Sequence, residues 1–268
     1  MKDRRILYVS SEVLPYLPET EVSSMSYETP KLVNSLGGQI RIFMPRFGNI
    51  NERRHQLHEV IRLSGMNLVV NDMDMPLIIK VASIPKERIQ VYFIDNEEYF
   101  KRKATFCDEE GKLFKDNDER AIFFAKGVIE TVKKLNWAPD IIHVHGWMAS
   151  LFPLYLKEFY HDEPLFTDSK IVTSIYNEDF GDSLNKDLAH KINFDGVDLT
   201  KLKHLTQPNF TNLTKTVIDY SDALILASPE TPDEIRTYAE ASKKPLLAFQ
   251  PADTFQEAYK AFYNQLIS

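Results

Sequence analysis

The feature that most constrains this chain is a set of short, almost wholly apolar runs: Ile6-Leu7-Tyr8-Val9, Ile141-Ile142-His143-Val144-His145, Ile171-Val172-Thr173-Ser174-Ile175 and Ala223-Leu224-Ile225-Leu226-Ala227. They do not alternate with polar residues, so both of their faces must be covered, as in parallel strands sandwiched between helices. Segments between them carry helical periodicity; from Asn117 to Leu135, Ile122, Ala125, Ile129 and Val132 recur on one face. This βαβ alternation predicts an α/β protein: one Rossmann-like, doubly wound, mostly parallel sheet of roughly six or seven core strands. A first helix through Lys31-Leu32-Val33 ends at Gly37-Gly38, and a second strand, Ile40 to Met44, stops at Pro45. Over about 58–94, several short strands punctuated by Asp72 and Asp74 read as a β-hairpin insertion. A helix over about 254–267 places Phe255, Tyr259, Phe262 and Leu266 on one face and closes the chain, so 1–268 reads as a single domain. The polar stretch from Asn177 to Asn209 shows the least pattern.

Composition excludes several classes of function. A net charge of −7 supplies no basic surface for nucleic acid or an anionic membrane. The first apolar run ends by Ser10, too short for a signal-peptide core or a membrane span, and a single cysteine, Cys107, suits a reducing compartment. A cytoplasmic location is expected. Only 9 of 268 residues are glycine, and neither G-x-G-x-x-G nor G-x-x-x-x-G-K-[ST] occurs, so a glycine-rich phosphate cradle is missing. No cofactor is expected.

In an open α/β sheet, ligands sit beyond the carboxyl ends of the strands. Five segments follow predicted strands: Ser10-Ser11-Glu12, Arg46-Phe47-Gly48, His145-Gly146-Trp147-Met148, Tyr176-Asn177-Glu178-Asp179 and Ser228-Pro229-Glu230-Thr231. His143 and His145 share one face of a strand, but with no third ligand at a set spacing they read as hydrogen-bonded core histidines, and no metal is expected. Cys107 beside Asp108 should have a raised thiol pKa, which disfavours a nucleophile.

In chain order stand Val9-Ser10-Ser11-Glu12-Val13-x-Pro15, Pro30-Lys31 before Leu36-Gly37, Arg41-x-x-x-Pro45-Arg46-Phe47-Gly48, Asp116-Asn117-x-x-Arg120, Trp137-x-Pro139-Asp140-x-x-His143-x-His145-x-Trp147, Ile175-x-Asn177 and Ala227-Ser228-Pro229. Taken together, these motifs resemble the N-terminal domain of the bacterial glycogen synthase and plant starch synthase family, one half of a GT-B glycosyltransferase. The resemblance implies retaining transfer of glucose from ADP-glucose to an α-glucan, with acceptor contacts substantially on this domain. It also implies that a second domain carries most donor contacts, and the chain reads as lacking it. By matching residue type, Glu12, Arg46, Asp116, Asn117, Trp147, Asn177 and Ser228 form the candidate ligand-binding surface. The bland reading of the same residues has Asp116 and Asn117 capping a helix and Arg46 pairing with Glu12 or Asp116.

Three segments depart from the family pattern. Its K-T-G-G loop, which approaches the donor diphosphate, falls on Pro18-Glu19-Thr20-Glu21; its active-site histidine falls on Met148; and the histidine of its T-I-H-N segment is Tyr176. Carboxylates where a diphosphate should sit replace attraction with repulsion. The expected function is therefore that of a catalytically degenerate relative that binds an α-glucan, such as a maltooligosaccharide, or a protein partner over the carboxyl ends of the strands, with no confidently catalytic residue. The alternatives are an ADP-glucose-dependent α-1,4-glucan glucosyltransferase completed by a partner's donor domain, and a structural homo-oligomer.

Overall fold

Seven parallel strands carry the protein, and their order follows from the apolar runs. A computed structural model describes residues 1–267. The strands are β1 (Arg5–Ser10), β2 (Gln39–Pro45), β3 (His58–Glu59), β4 (Met66–Val70), β5 (Met73–Ser83), β6 (Gln90–Asp95), β7 (Ile141–His145), β8 (Lys170–Ile175), β9 (Ala223–Leu226) and β10 (Leu246–Leu247). They form one sheet in the order β10-β9-β8-β7-β1-β2-β6-β5-β3, with β4 paired to β5. The run from β10 to β6 is parallel throughout. All five residues of β7 are buried, which is why its sequence shows no polar alternation.

The helices are α1 (Glu21–Ser35), α2 (Glu52–His55), α3 (Glu97–Phe100), α4 (Asn117–Leu135), α5 (Phe152–Leu154), α6 (Leu188–Phe194), α7 (Phe210–Tyr220), α8 (Asp233–Ala241) and α9 (Phe255–Leu266). Contacts run in series through α4, α5, α7 and α8, whereas α1 and α9 pack together. Right-handed crossovers place the first group on one face of the sheet and α1 on the other, the doubly wound arrangement expected from the sequence. From β1 the chain steps outward through β2 to β6, returns over α4, and then steps the other way from β7 to β10. The order thus reverses between β1 and β7, which opens a crevice above their carboxyl ends.

The excursion expected over 58–94 divides in two. β4 and β5 form an antiparallel hairpin whose two-residue turn is Asn71-Asp72, both with positive φ, a combination that asparagine and aspartate tolerate. β6, by contrast, pairs in parallel with β2 and belongs to the core sheet. The stretch 177–209 contains α6 and short 3-10 turns. Helix α8 and strand β10 extend the sheet beyond the last strand that the sequence indicated. Among the described residues, no helix is long and apolar enough to cross a membrane.

Candidate functional site

The loops after β1, β7, β8 and β9 converge on a cleft of about 470 Å³ above the crevice. Each strand delivers one candidate residue to it: Glu12, Trp147, Asn177 and Ser228 all line the cleft. Gly146 makes the sharp turn after β7; its φ is +82° and a Cβ would lie 2.5 Å from Ser11 Oγ, so the backbone there approaches the β1 loop as only glycine can. The Ser11 hydroxyl accepts the Met148 N–H at 3.0 Å and fixes the next turn.

Trp147 is only 6% exposed and stands between Phe106 and Phe180, with ring centroids 4.8 and 5.3 Å away. It forms the back wall of the cleft and offers little open ring face. Phe180, half-buried, and Asn177, exposed, are the residues at this end that a ligand can reach.

Three candidate residues lie elsewhere, and each has a structural partner. Arg46 pairs with buried Asp95 at 2.9 Å and with Glu52 at 3.4 Å, not with Glu12 or Asp116 as the sequence suggested. Asp116 stands at the start of α4 but makes no side-chain cap bond; it accepts Arg102 at 2.6 Å. Asn117 does not cap either: its amide donates to the Phe106 carbonyl at 2.9 Å and its Oδ1 accepts Arg120 at 2.6 Å. Asn117 thereby holds the segment that carries one cleft wall.

The histidine pair is committed internally. The rings of His143 and His145 lie 3.9 Å apart; His143 bonds the Tyr263 and Ser174 hydroxyls at 2.6 and 2.8 Å, and His145 bonds the Tyr176 hydroxyl at 2.7 Å. Burial pushes both imidazoles below their ordinary range, His145 to about 3, so both are neutral and serve as hydrogen-bonding core. The Cys107 thiol is raised, first by burial and then by Asp108.

Sequence reading named Glu178 and Glu230 only as members of strand-end loops, yet both line the cleft, together with Glu21. The half-buried Glu178 carboxyl is pushed up to about 8, mainly by burial and next by the charge of Glu12, while the Trp147 N–H opposes the rise. Burial likewise raises Glu12, against the hydrogen bond from Thr20 at 2.7 Å. Ionised Glu178 therefore disfavours the fold, and that penalty grows as pH rises from the ordinary carboxylate range near 4.5 to about 8. We predict that Glu178→Gln melts like the parent near pH 5 and above it at pH 9; an advantage independent of pH would refute this account.

Residues 5–247 match the family model of the starch synthase catalytic domain. The chain belongs to that family. Among curated relatives, it is 41% identical to the glycogen synthase of Chlorobium limicola over 174 residues, 65% of this chain and 36% of the relative. It is 33% identical to the glycogen synthase of Chlorobaculum parvum over 251 residues, 90% of this chain and 49% of the relative. The chain thus spans half the length of these synthases or less. Among solved structures, the catalytic domain of Starch Synthase IV from Arabidopsis thaliana, bound to ADP and acarbose, matches with a TM-score of 0.77 at 15% identity, covering 95% of this chain and 53% of the plant chain. That likeness confirms the GT-B half-fold expected from the sequence motifs.

Within this family frame the departures acquire positions. Thr20 and Glu21, which the family resemblance sets opposite the glycines of the K-T-G-G loop, line the cleft at the start of α1. Thr20 caps α1 through a reciprocal bond with Ser23, and its hydroxyl also holds Glu12, so the replaced loop is built into the helix start. Met148 is 0% exposed and presents no side chain to the cleft.

Proposed function

We propose that this chain is a saccharide-binding member of the glycogen and starch synthase family whose donor-diphosphate site has been lost. The observation that carries the reading is the loop Pro18-Glu19-Thr20-Glu21: it places the Glu21 carboxylate in the cleft and Glu19 in the adjoining groove, and it removes one backbone donor at Pro18, where the resemblance implies a lysine and glycine N–H groups. A doubly charged diphosphate gains nothing from that surface. The thioether at Met148, buried under the β7 turn, cannot replace the hydrogen bond of a histidine.

The acceptor side is better preserved. Asn177 offers an exposed amide, and Phe180 a partly exposed ring, along a cleft the size of a short oligosaccharide segment. Calorimetric titration with maltoheptaose tests this reading. Saturable binding that Asn177→Ala weakens at least roughly fivefold, about 1 kcal/mol, is the expected result; no heat up to millimolar sugar overturns it. Trp147→Ala is the wrong probe, because removing a buried indole wedged between two phenylalanines unfolds the wall it is meant to test.

A further inference from the structure

At the amino end of the sheet, away from the cleft, four cations gather without an acid. Arg5 opens β1 beside Gln39 of β2, and Arg41, two residues further along β2, lies on the same face as Arg5. The Arg41 guanidinium stands 4.9 Å from the ring centroid of Trp137 and 5.8 Å from that of Tyr92. Trp137 follows α4, whose last turn carries Lys134. That ammonium donates to the Leu63 carbonyl at 3.2 Å, which brings Arg62, the neighbour of Leu63, over the same end of α4. Among the described residues none of these four cations has an ion-pair partner, whereas adjacent Arg4 holds Asp140 and Lys133 holds Glu130 and Glu163.

Arg41 sets this cluster apart from a solvated surface. It is half-buried, its side chain donates no hydrogen bond within the protein, and its enclosed Nη1 has no acceptor. The two ring faces hold the guanidinium in place. By contrast, Arg46 and Lys80 share Asp95, Lys126 holds Asp195, Lys191 holds Asp118, and Lys244 donates to three carbonyls. Burial is the main cause that loosens the hold of Arg41 on its proton; Tyr92 opposes it, and the charges of Arg5 and Arg62 add to it. Like charges so close repel one another until an anion bridges them. On a chain of net charge −7, four cations match one or two phosphate groups and not the long track of a nucleic acid.

We propose that this patch binds a small anion bearing phosphate groups, with Arg41 at its centre and Arg5 and Arg62 closing around it. A guanidinium presents paired N–H groups to two oxygens of one phosphate, a match that an ammonium lacks. The inference is independent of the saccharide reading, because Arg5 and Arg41 stand in the amino halves of β1 and β2, whereas the cleft lies beyond the carboxyl ends.

The test is calorimetry on the full chain, at fixed ionic strength, with pyrophosphate, inorganic phosphate and glycerol 3-phosphate. Pyrophosphate is expected to saturate with a Kd at or below about 1 mM, and to bind at least roughly threefold more tightly than phosphate because its two groups engage more of the patch. Arg5→Gln with Arg62→Gln, both at exposed positions, should weaken it at least roughly tenfold. Lys203→Gln with Lys243→Gln removes the same charge from exposed positions outside the patch and should leave the affinity within about twofold. Glycerol 3-phosphate binding like inorganic phosphate assigns recognition to the phosphate group alone; tighter binding of the ester, lost in the arginine variant, assigns the site to a phosphate ester. No saturable heat up to about 10 mM pyrophosphate, an arginine variant that binds like the parent, or equal weakening by the lysine pair overturns the inference. Maltoheptaose binding should be the same in the arginine variant as in the parent, so failure here and failure of the saccharide reading are told apart.

Discussion

Restoring the family loop by Pro18→Lys, Glu19→Thr, Thr20→Gly and Glu21→Gly is expected to raise the affinity for ADP at least roughly tenfold, equivalent to about 1.4 kcal/mol. The change removes two negative charges, adds one positive charge, and restores an N–H at position 18. A single unit pair at 4 Å is worth about 1 kcal/mol even in bulk water. With Glu21 in the cleft and Glu19 in the adjoining groove, three units of charge acting on a double anion reach the tenfold mark. The cost to the fold is small: Thr20 is the cap of α1, and glycine at a cap position loses only a few tenths of a kcal/mol. Glu12 loses the Thr20 hydroxyl, which leaves its carboxylate freer and sets an upper limit on the gain. Glu19→Gln with Glu21→Gln separates charge from backbone: it should recover part of the affinity, and high salt should erase that part first. Calorimetric ADP affinity unchanged in the four-residue variant would show that the loop is not what excludes the diphosphate, and the proposed function would then fail at its central premise.

Much of this architecture is legible in the sequence because parallel strands buried on both faces write themselves as unbroken apolar runs. β1, β7, β8 and β9 are such runs, and their carboxyl ends deliver Glu12, Trp147, Asn177 and Ser228 to one cleft without any knowledge of distance. The core role of β6 was obscured because its neighbour β5 is antiparallel, so the hairpin pattern seems to continue through it. Helix α8 carries only Ile235 and Ala239 as buried residues, too sparse a stripe to announce itself. The candidates that lie outside the cleft share a cause. Arg46, Asp116 and Asn117 match family motifs by type, but their side chains are taken up by Asp95, Arg102 and the Phe106 carbonyl, and sequence order carries no trace of those tertiary pairings. The acidic lining of the cleft did have a signal. Carboxylates follow β1, β8 and β9 at Glu12, Glu178, Asp179 and Glu230, and counting charge loop by loop exposes it.

The segment that sequence patterning read least well is fastened by charge, which gives it a large expected effect. Asp195 directly after α6 is buried, accepts Lys126 of α4 at 2.7 Å and accepts the Tyr155 hydroxyl at 2.6 Å. Lys126 also donates to the Val69 carbonyl at 2.7 Å and lies 4.9 Å from the centroid of Phe159, so one ammonium ties the hairpin strand β4, helix α4 and the turn after α5 to 188–195. A second tie, Lys191 with Asp118 at 2.6 Å, joins α6 to the start of α4. Hydrophobic periodicity cannot reveal such a fastening, because its partners are 69 and 73 residues apart and all of them polar. Asp195→Ala leaves a buried ammonium with only a carbonyl and ring faces for company, and breaking one side of a buried pair typically costs about 3–5 kcal/mol. For a chain of this size that corresponds to a fall in Tm of roughly 10 °C. The paired replacement Lys126→Met with Asp195→Leu should recover most of the loss, since it removes the charge instead of stranding it. Asp195→Ala melting within about 1 kcal/mol of the parent would show that water reaches Lys126, and 188–209 would then be held by Lys191 and its apolar contacts without this pair.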